Sequence, residues 1–311
     1  MRPTLHIVAS CTDSKTVSPL VRLGEVRRPA LEARYAAWRE ALKHGTSRTP
    51  AEELYRGGYW SVVRSLPAIA ERAGWRSSLW ISSAGYGLVP SHKRVVAYSA
   101  TFARGHADSV VRPNDPASND VGWWRLATSG RSALGRSVES LAAEVPHSTI
   151  LVLASPQYLA AMADDLEDAA AHVRGRGAVI LVSSKLPARL ASLQECWLPS
   201  QAGLQETLGG ALVSLHARTA RHLLAMLEPK QFTKENVSVM REKLKQAMGE
   251  KKARVSGTGM SDDEVLAFIR KRLGETPKAS HTGLLRELRA GGRACEQGRF
   301  RRLFAQAAGK R

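Results

Sequence analysis

The residues best suited to chemistry stand together near the amino terminus, where the apolar run Leu5-His6-Ile7-Val8-Ala9 opens into Ser10-Cys11-Thr12-Asp13-Ser14-Lys15. A carboxylate, a thiol, an amine and three hydroxyls fall within six residues. Asp13 suits a general base. It can hold and activate water and stabilise a cation developing on a sugar carbon, as cleavage of a glycosidic C–N bond demands. The same residue type also caps turns and helices. Lys15 offers a point charge to a phosphate or, with a depressed pKa, an amine nucleophile. Cys11 offers a nucleophilic thiol or a small buried residue at a strand end. Ser10 and Cys11 are also placed to line a base-binding pocket.

A second segment, Ser82-Ser83-Ala84-Gly85-Tyr86-Gly87-Leu88-Val89-Pro90, is built of small residues that let a backbone approach a ligand. Ser83, Tyr86 and Gly87 are its base-binding candidates, with Tyr98 and Phe102 beyond, and Tyr86 or Phe102 as the ring that stacks on a base. Between them His92 and Lys93 are candidate phosphate contacts, and Asp108 is an alternative carboxylate. No lysine followed by Ser or Thr opens a helix there, so the segment is not a GxxxxGK[ST] phosphate loop. Neither a nucleotide cofactor nor a metal is expected. The polar stretch Val110 to Gly122 adds Asn114 for reading a base edge and Asp115 as a further candidate catalytic carboxylate, with Asn119 and Asp120. Trp123 and Trp124 follow and are suited to stacking or wedging.

These segments need a scaffold that brings strand ends together. Apolar runs at Leu5–Ala9, Leu79–Ser83, Thr149–Ala154 and Ala178–Val182 alternate with helical patterns at 34–43, 51–73 (broken near Gly57-Gly58 and Pro67), 132–144 and 157–174. Continuous apolar strands between amphipathic helices predict an α/β fold with a largely parallel sheet covered by helices, its sites along one edge. Further helices are expected at 207–227 and 233–248. Ser261-Asp262-Asp263-Glu264 reads as a capping box opening a helix to about Leu273. Helices at 281–289 and 294–307 flank Gly291-Gly292 and suggest a small helix-turn-helix-like domain. Gln297, Arg299, Arg301 and Arg302 lie on its outward, DNA-binding face. The expected organisation is a catalytic domain over 1–228, a charged helix and linker over 229–259, and a basic helical domain over 260–311.

The 311 residues carry a formal charge of +18. From Lys230 onward there are 20 Lys and Arg against 9 Asp and Glu. Such clustering points to a polyanionic partner, most simply DNA or RNA; double-stranded DNA is the partner expected with the reading below. Three dispersed cysteines argue against a disulfide framework or a structural zinc, and no apolar run approaches a membrane span. A cytoplasmic protein with no membrane association and no obligate protein partner is expected.

The Cys-x-x-x-Lys turn, Leu54-Tyr55-Arg56-Gly57, Ser83-Ala84-x-Tyr86-Gly87-Leu88 and Tyr98 together resemble an uncharacterised prokaryotic domain family. That domain is similar to the base-modifying domain of archaeosine synthase and, more distantly, to the uracil-DNA-glycosylase-like α/β fold, where a carboxylate after the first strand activates water. With the basic tail, the chain also looks like bacterial antiviral DNA glycosylases that excise glucosylated hydroxymethylcytosine from phage DNA and leave abasic sites. The resemblance covers residues 5 to 185 and lacks the Gly-Gln-Asp-Pro-Tyr-His run of uracil glycosylases. Only Asp13 matches their carboxylate by position. It implies a base-flipping N-glycosylase. The alternatives are a transferase using Cys11 and Lys15 on a deazaguanine-like base, and a non-enzymatic DNA-binding regulator.

Overall fold

Four apolar runs become parallel strands because both of their faces are covered by helices. The structure, a computed structural model, describes residues 2–28, 30–112, 114–115, 118–175, 177–248, 258–277 and 279–309. The chain divides into two units, residues 1–249 and 250–311. In the first, strands β1 (Thr4–Ser10), β2 (Arg76–Ser83), β3 (Gly87–Pro90), β4 (Thr149–Leu153), β5 (Ala178–Ser183) and β6 (Trp197–Pro199) form one sheet in the order β6-β5-β4-β1-β2-β3. All neighbours are parallel except β2 and β3, which form a hairpin. The expected α/β class with a largely parallel sheet is therefore present. The two strands of this sheet that sequence reading passed over, β3 and β6, are three or four residues long and lie at the sheet's two edges.

Alternation along β1 sends His6, Val8 and Ser10 to one face and Ile7, Ala9 and Cys11 to the other. Helices α1 (Leu31–Lys43), α2 (Gly58–Arg72), α3 (Asp120–Thr128), α4 (Val138–Glu144), α5 (Pro156–Ala161), α6 (Ala163–His172), α7 (Leu204–Leu208), α8 (Leu215–Met226) and α9 (Val237–Ala247) complete the unit. Tyr59 of α2 reaches Ser10, so α2 and its neighbour α8 cover the Ser10 face. Tyr158 of α5 reaches Cys11, so α5 lies over the other face. Phe232, Val237, Met240 and Leu244 are buried in the same core, which makes the segment around α9 part of this unit.

Several expected helices are trimmed for local reasons. The pattern at 132–144 begins only at Val138, because Ser137 caps it and Arg136 exchanges backbone hydrogen bonds with Leu88. Residues 207–227 do not form one helix, since Gly209 and Gly210 both take left-handed φ, +68° and +75°. Gly57, at φ +94°, does break the 51–73 pattern, leaving Ala51–Leu54 and α2. Pro67 does not. Val62, Val63, Leu66 and Ala70 bury α2's inner face and carry the helix through the lost hydrogen bond.

The second unit holds α10 (Asp262–Glu275), α11 (His281–Ala290) and α12 (Gln297–Ala307). Ser261 and Glu264 form the expected capping box. Between α11 and α12, Arg293–Ala294 pairs in parallel with Thr258–Gly259. Most of the expected linker, 249–257, lies outside the described residues. The core is small: Val265, Ile269, Leu284, Leu285, Leu288, Phe300 and Leu303, with Met260 and Cys295 at its margin. A core of that size leaves a stability of only a few kcal/mol. Phe300→Ala, costing about 3–5 kcal/mol, is therefore expected to unfold this unit alone. Amide exchange should lose protection across 262–307 and keep it in β1, β4 and β5.

Candidate active site

The carboxyl edge of the sheet gathers the ends of β1, β2 and β4. Cys11 continues β1 by donating its amide to the Ser82 carbonyl at 3.0 Å. The chain then curls, and the Lys15 ammonium turns inward to donate to the carbonyls of Thr12 (3.1 Å) and Asp13 (3.2 Å). It lies 5.0 Å from the Tyr98 ring centre and 5.8 Å from that of Tyr55, a cation–π arrangement. Lys15 is 7% exposed, and burial lowers its pKa against the opposing pull of Cys11, Asp13 and Asp108. The lysine expected to hold phosphate is thus occupied in shaping its own loop.

That curl turns the Asp13 side chain outward, where it is 67% exposed. His106 faces it, with Nε2 3.6 Å from Asp13 Oδ1. The Asp108 backbone N–H donates to His106 Nδ1 at 3.0 Å, so the neutral ring carries its proton on Nε2, toward Asp13. Asp108 itself is 4% exposed. Its Oδ1 accepts the Gly24 amide at 2.8 Å, and Oδ2 lies 3.5 Å from Arg22. It braces the His106 turn instead of meeting a substrate. Asp115 lies 3.9 Å from the buried Arg34. Of the three candidate carboxylates, only Asp13 combines exposure with a place on the strand-end loop.

The floor is a hydroxyl and aromatic layer. Ser83 Oγ and Tyr98 Oη are 2.5 Å apart, and Tyr98 Oη is 2.9 Å from Tyr55 Oη. The Tyr158 hydroxyl is 3.1 Å from Cys11 Sγ. Burial first, and the Cys11 thiol next, push the pKa of Tyr55, Tyr98 and Tyr158 well up, so all three keep their protons. Phe102 stands edge-on to Tyr158. Ser83 Oγ also accepts the amides of Gly85 (3.1 Å) and Tyr86 (3.0 Å). Two indoles pin the same turn: Trp38 donates to the Gly85 carbonyl at 2.9 Å and Trp123 to that of Ala84 at 2.7 Å. Gly87 has φ +72°, and a Cβ there would meet the Ala127 carbonyl at 2.8 Å.

Tyr86, Tyr98 and Phe102 are therefore core rings beneath the site, not open stacking faces. Trp123 and Trp124 are buried too. Trp124 donates to Asp165 at 2.7 Å, and Asn119 caps α3 through the Gly122 amide. Asn114 sits in the left-handed region at φ 57°. His92 and Lys93 are not brought to this edge. The antiparallel β3 carries them back alongside Leu79, and Lys93 donates to the Leu134 carbonyl at 2.6 Å. In the second unit Gln297, Arg301 and Arg302 are exposed, whereas Arg299 is tied to Asp262 at 2.5 Å.

Sequence reasoning missed His106, Tyr158 and Arg34. The first had a signal, since it lies two residues before Asp108 in a Gly105-His106-Ala107 turn. Arg34 had none. It is fully buried, donates to the carbonyls of Val110 (2.9 Å) and Ser109 (3.1 Å), and burial pulls its pKa down to about 10. Among the described residues no cluster of three His, Cys, Asp or Glu is placed to hold a metal ion, and no helix is long and apolar enough to cross a membrane. No family model, curated protein or solved structure matches this chain.

On the Ser10 face, Tyr59 Oη bonds Ser10 Oγ (3.4 Å) and the Leu153 carbonyl (3.3 Å), and His216 packs on the Tyr59 ring at 4.7 Å. Burial lowers the His216 pKa from 6.5 to about 4, and its Nε2 has no partner. The unfolded chain takes up this proton below pH 6.5 while the folded ring refuses it until about 4. Stability is therefore full above pH 6.5 and falls across that window, by up to about 3 kcal/mol. Urea titrations of His216→Phe, which keeps a ring on Tyr59, are expected to show that slope flattened.

Proposed function

We propose that the protein is a DNA N-glycosylase that removes a modified base and leaves an abasic site. The observation that carries this reading is the exposed Asp13 carboxylate on the β1 loop, faced by His106. In the proposed reaction the target nucleotide is flipped out of the duplex to reach the sheet edge. The C1′–N bond breaks with its electron pair leaving on the base, and an oxocarbenium ion develops on the sugar. Asp13 stabilises that cation and takes a proton from the water that attacks C1′, then releases it to solvent, from which the departing base takes up a proton. His106 faces the carboxylate with Nε2, at 3.6 Å. Lys15 and the Tyr98 layer hold the loop in shape, so that Asp13 is preorganised.

The net charge of +18 supports a polyanionic substrate, and the exposed Gln297, Arg301 and Arg302 of α12 support a role for the second unit in holding the duplex, in the manner of a helix-turn-helix. Glucosylated hydroxymethylcytosine in phage DNA is the base suggested by the resemblance to antiviral glycosylases, which makes defence against phage the proposed role. The transferase alternative fits the geometry less well, because Cys11 is buried against Tyr158 and the Lys15 amine already serves two carbonyls.

Incubation with normal and glucosylated phage DNA tests the reading. Mass spectrometry reports released base, and alkaline cleavage reports abasic sites. Asp13→Asn is expected to lower single-turnover release roughly 10²–10⁴-fold with little change in DNA affinity, while Cys11→Ala retains activity. Loss of activity in Cys11→Ala with activity kept in Asp13→Asn would move the chemistry to the thiol. DNA binding without released base or abasic sites would leave a binding protein.

A further inference from the structure

Away from the sheet edge, the carboxyl-terminal halves of α2 and α8, with α7, line a groove of about 590 Å³. The helical period of α8 creates its wall. Ala217, Ala220, Leu223 and Leu224 turn into the core, so Arg218, Arg221 and His222 share the outward face. Arg72, at the end of α2, and Thr207 of α7 complete the polar lining. Among the described residues no carboxylate lines this groove.

Arg218 and Arg221 stand three residues apart, a like-charge spacing that costs a helix a few tenths of a kcal/mol. The fold nevertheless fixes Arg218 in place. Its Nε donates to Ser214 Oγ at 3.0 Å, and its guanidinium lies flat against Gly210, where any Cβ would collide with it. The left-handed Gly209-Gly210 turn thus makes room for one arginine. Arg72 and Arg221 have guanidinium groups with no partner among the described residues. Burial lowers the His222 pKa, so near neutrality it adds a hydrogen-bonding ring without adding repulsion.

We propose that this groove is a second nucleic-acid contact, taking the phosphate backbone of duplex DNA between Arg72 on one wall and Arg218 and Arg221 on the other. Planar guanidinium forks suit phosphate oxygens, and three of them spread over two helices are satisfied together by a repeating anion better than by a single one. The proposal rests on the reading of the substrate as DNA but not on the chemistry at Asp13.

The test is a salt titration of binding to a short fluorescent duplex, with the full chain, Arg72→Gln/Arg221→Gln, and a control pair, Arg2→Gln/Arg131→Gln, both exposed and outside the groove. Thermal melts confirm that each variant folds. The groove pair is expected to make the slope of log affinity against log salt shallower by about 2 and to weaken binding on the order of tenfold at physiological salt, with the control pair close to wild type. A wild-type slope in the groove pair, or an equal loss in the control pair, overturns the proposal. So does binding of inorganic phosphate that depends on Arg72 and Arg221 while the DNA slope stays wild type, since the groove then serves a small anion. Failure of the glycosylase reading is seen separately, as no base released from any DNA, and leaves this titration decisive.

Discussion

An ammonium group taken out of water costs several kcal/mol unless fixed dipoles replace its hydration, and the loop after β1 folds to supply them to Lys15. Two carbonyls, of Thr12 and Asp13, must reach one nitrogen, and the Tyr98 ring must lie beneath it. Meeting both conditions within four residues forces the chain to curl over its own lysine. The Asp13 carbonyl points in and its carboxylate therefore points out. The exposure of the one candidate base is thus set by where a neighbouring positive charge is buried.

The layer below carries the same logic. A parallel sheet ends in backbone groups that the next loop must satisfy, and here side chains do so from several elements. Ser83 accepts two turn amides, and the indoles of Trp38 and Trp123 cover two turn carbonyls. Tyr55 and Tyr98 remain protonated because burial raises their pKa, so each can donate to a neighbour in the chain that ends at Ser83. Such a network tolerates little movement. It converts aromatic residues that sequence reading offered to a substrate into supports for the loops a substrate would meet.

The four central strands were legible in the sequence because each is a continuous apolar run, and the capping box at Ser261 because it is purely local. The edge strands were not, since Gly87–Pro90 and Trp197–Pro199 are too short to show a period and owe their pairing to β2 and β5. The Ser10–Lys15 segment was recognisable as a site by residue type. The direction in which its side chains face was not, because Lys15 turns inward only in response to Tyr55 and Tyr98, which are 40 and 83 residues away in sequence. Burial of Trp123 is equally nonlocal, depending on the Ala84 carbonyl and on Tyr35 and Trp38 of α1.

Charge, too, reads differently once its partners are known. Arg34 serves two carbonyls, Arg112 the carbonyl of Leu23, Arg241 those of Gln194 and Trp197, and Arg299 a carboxylate. These arginines brace loops and helix ends, and they add to net charge without being available to a phosphate. Counterion release depends on the cations that actually meet phosphates, so a total of +18 overstates the contact. The guanidiniums without such duties include Arg72 and Arg221 in the first unit and Arg301 and Arg302 in the second. An interface built from spare arginines therefore requires a salt dependence that counts the cations meeting phosphate, and not the whole excess of charge.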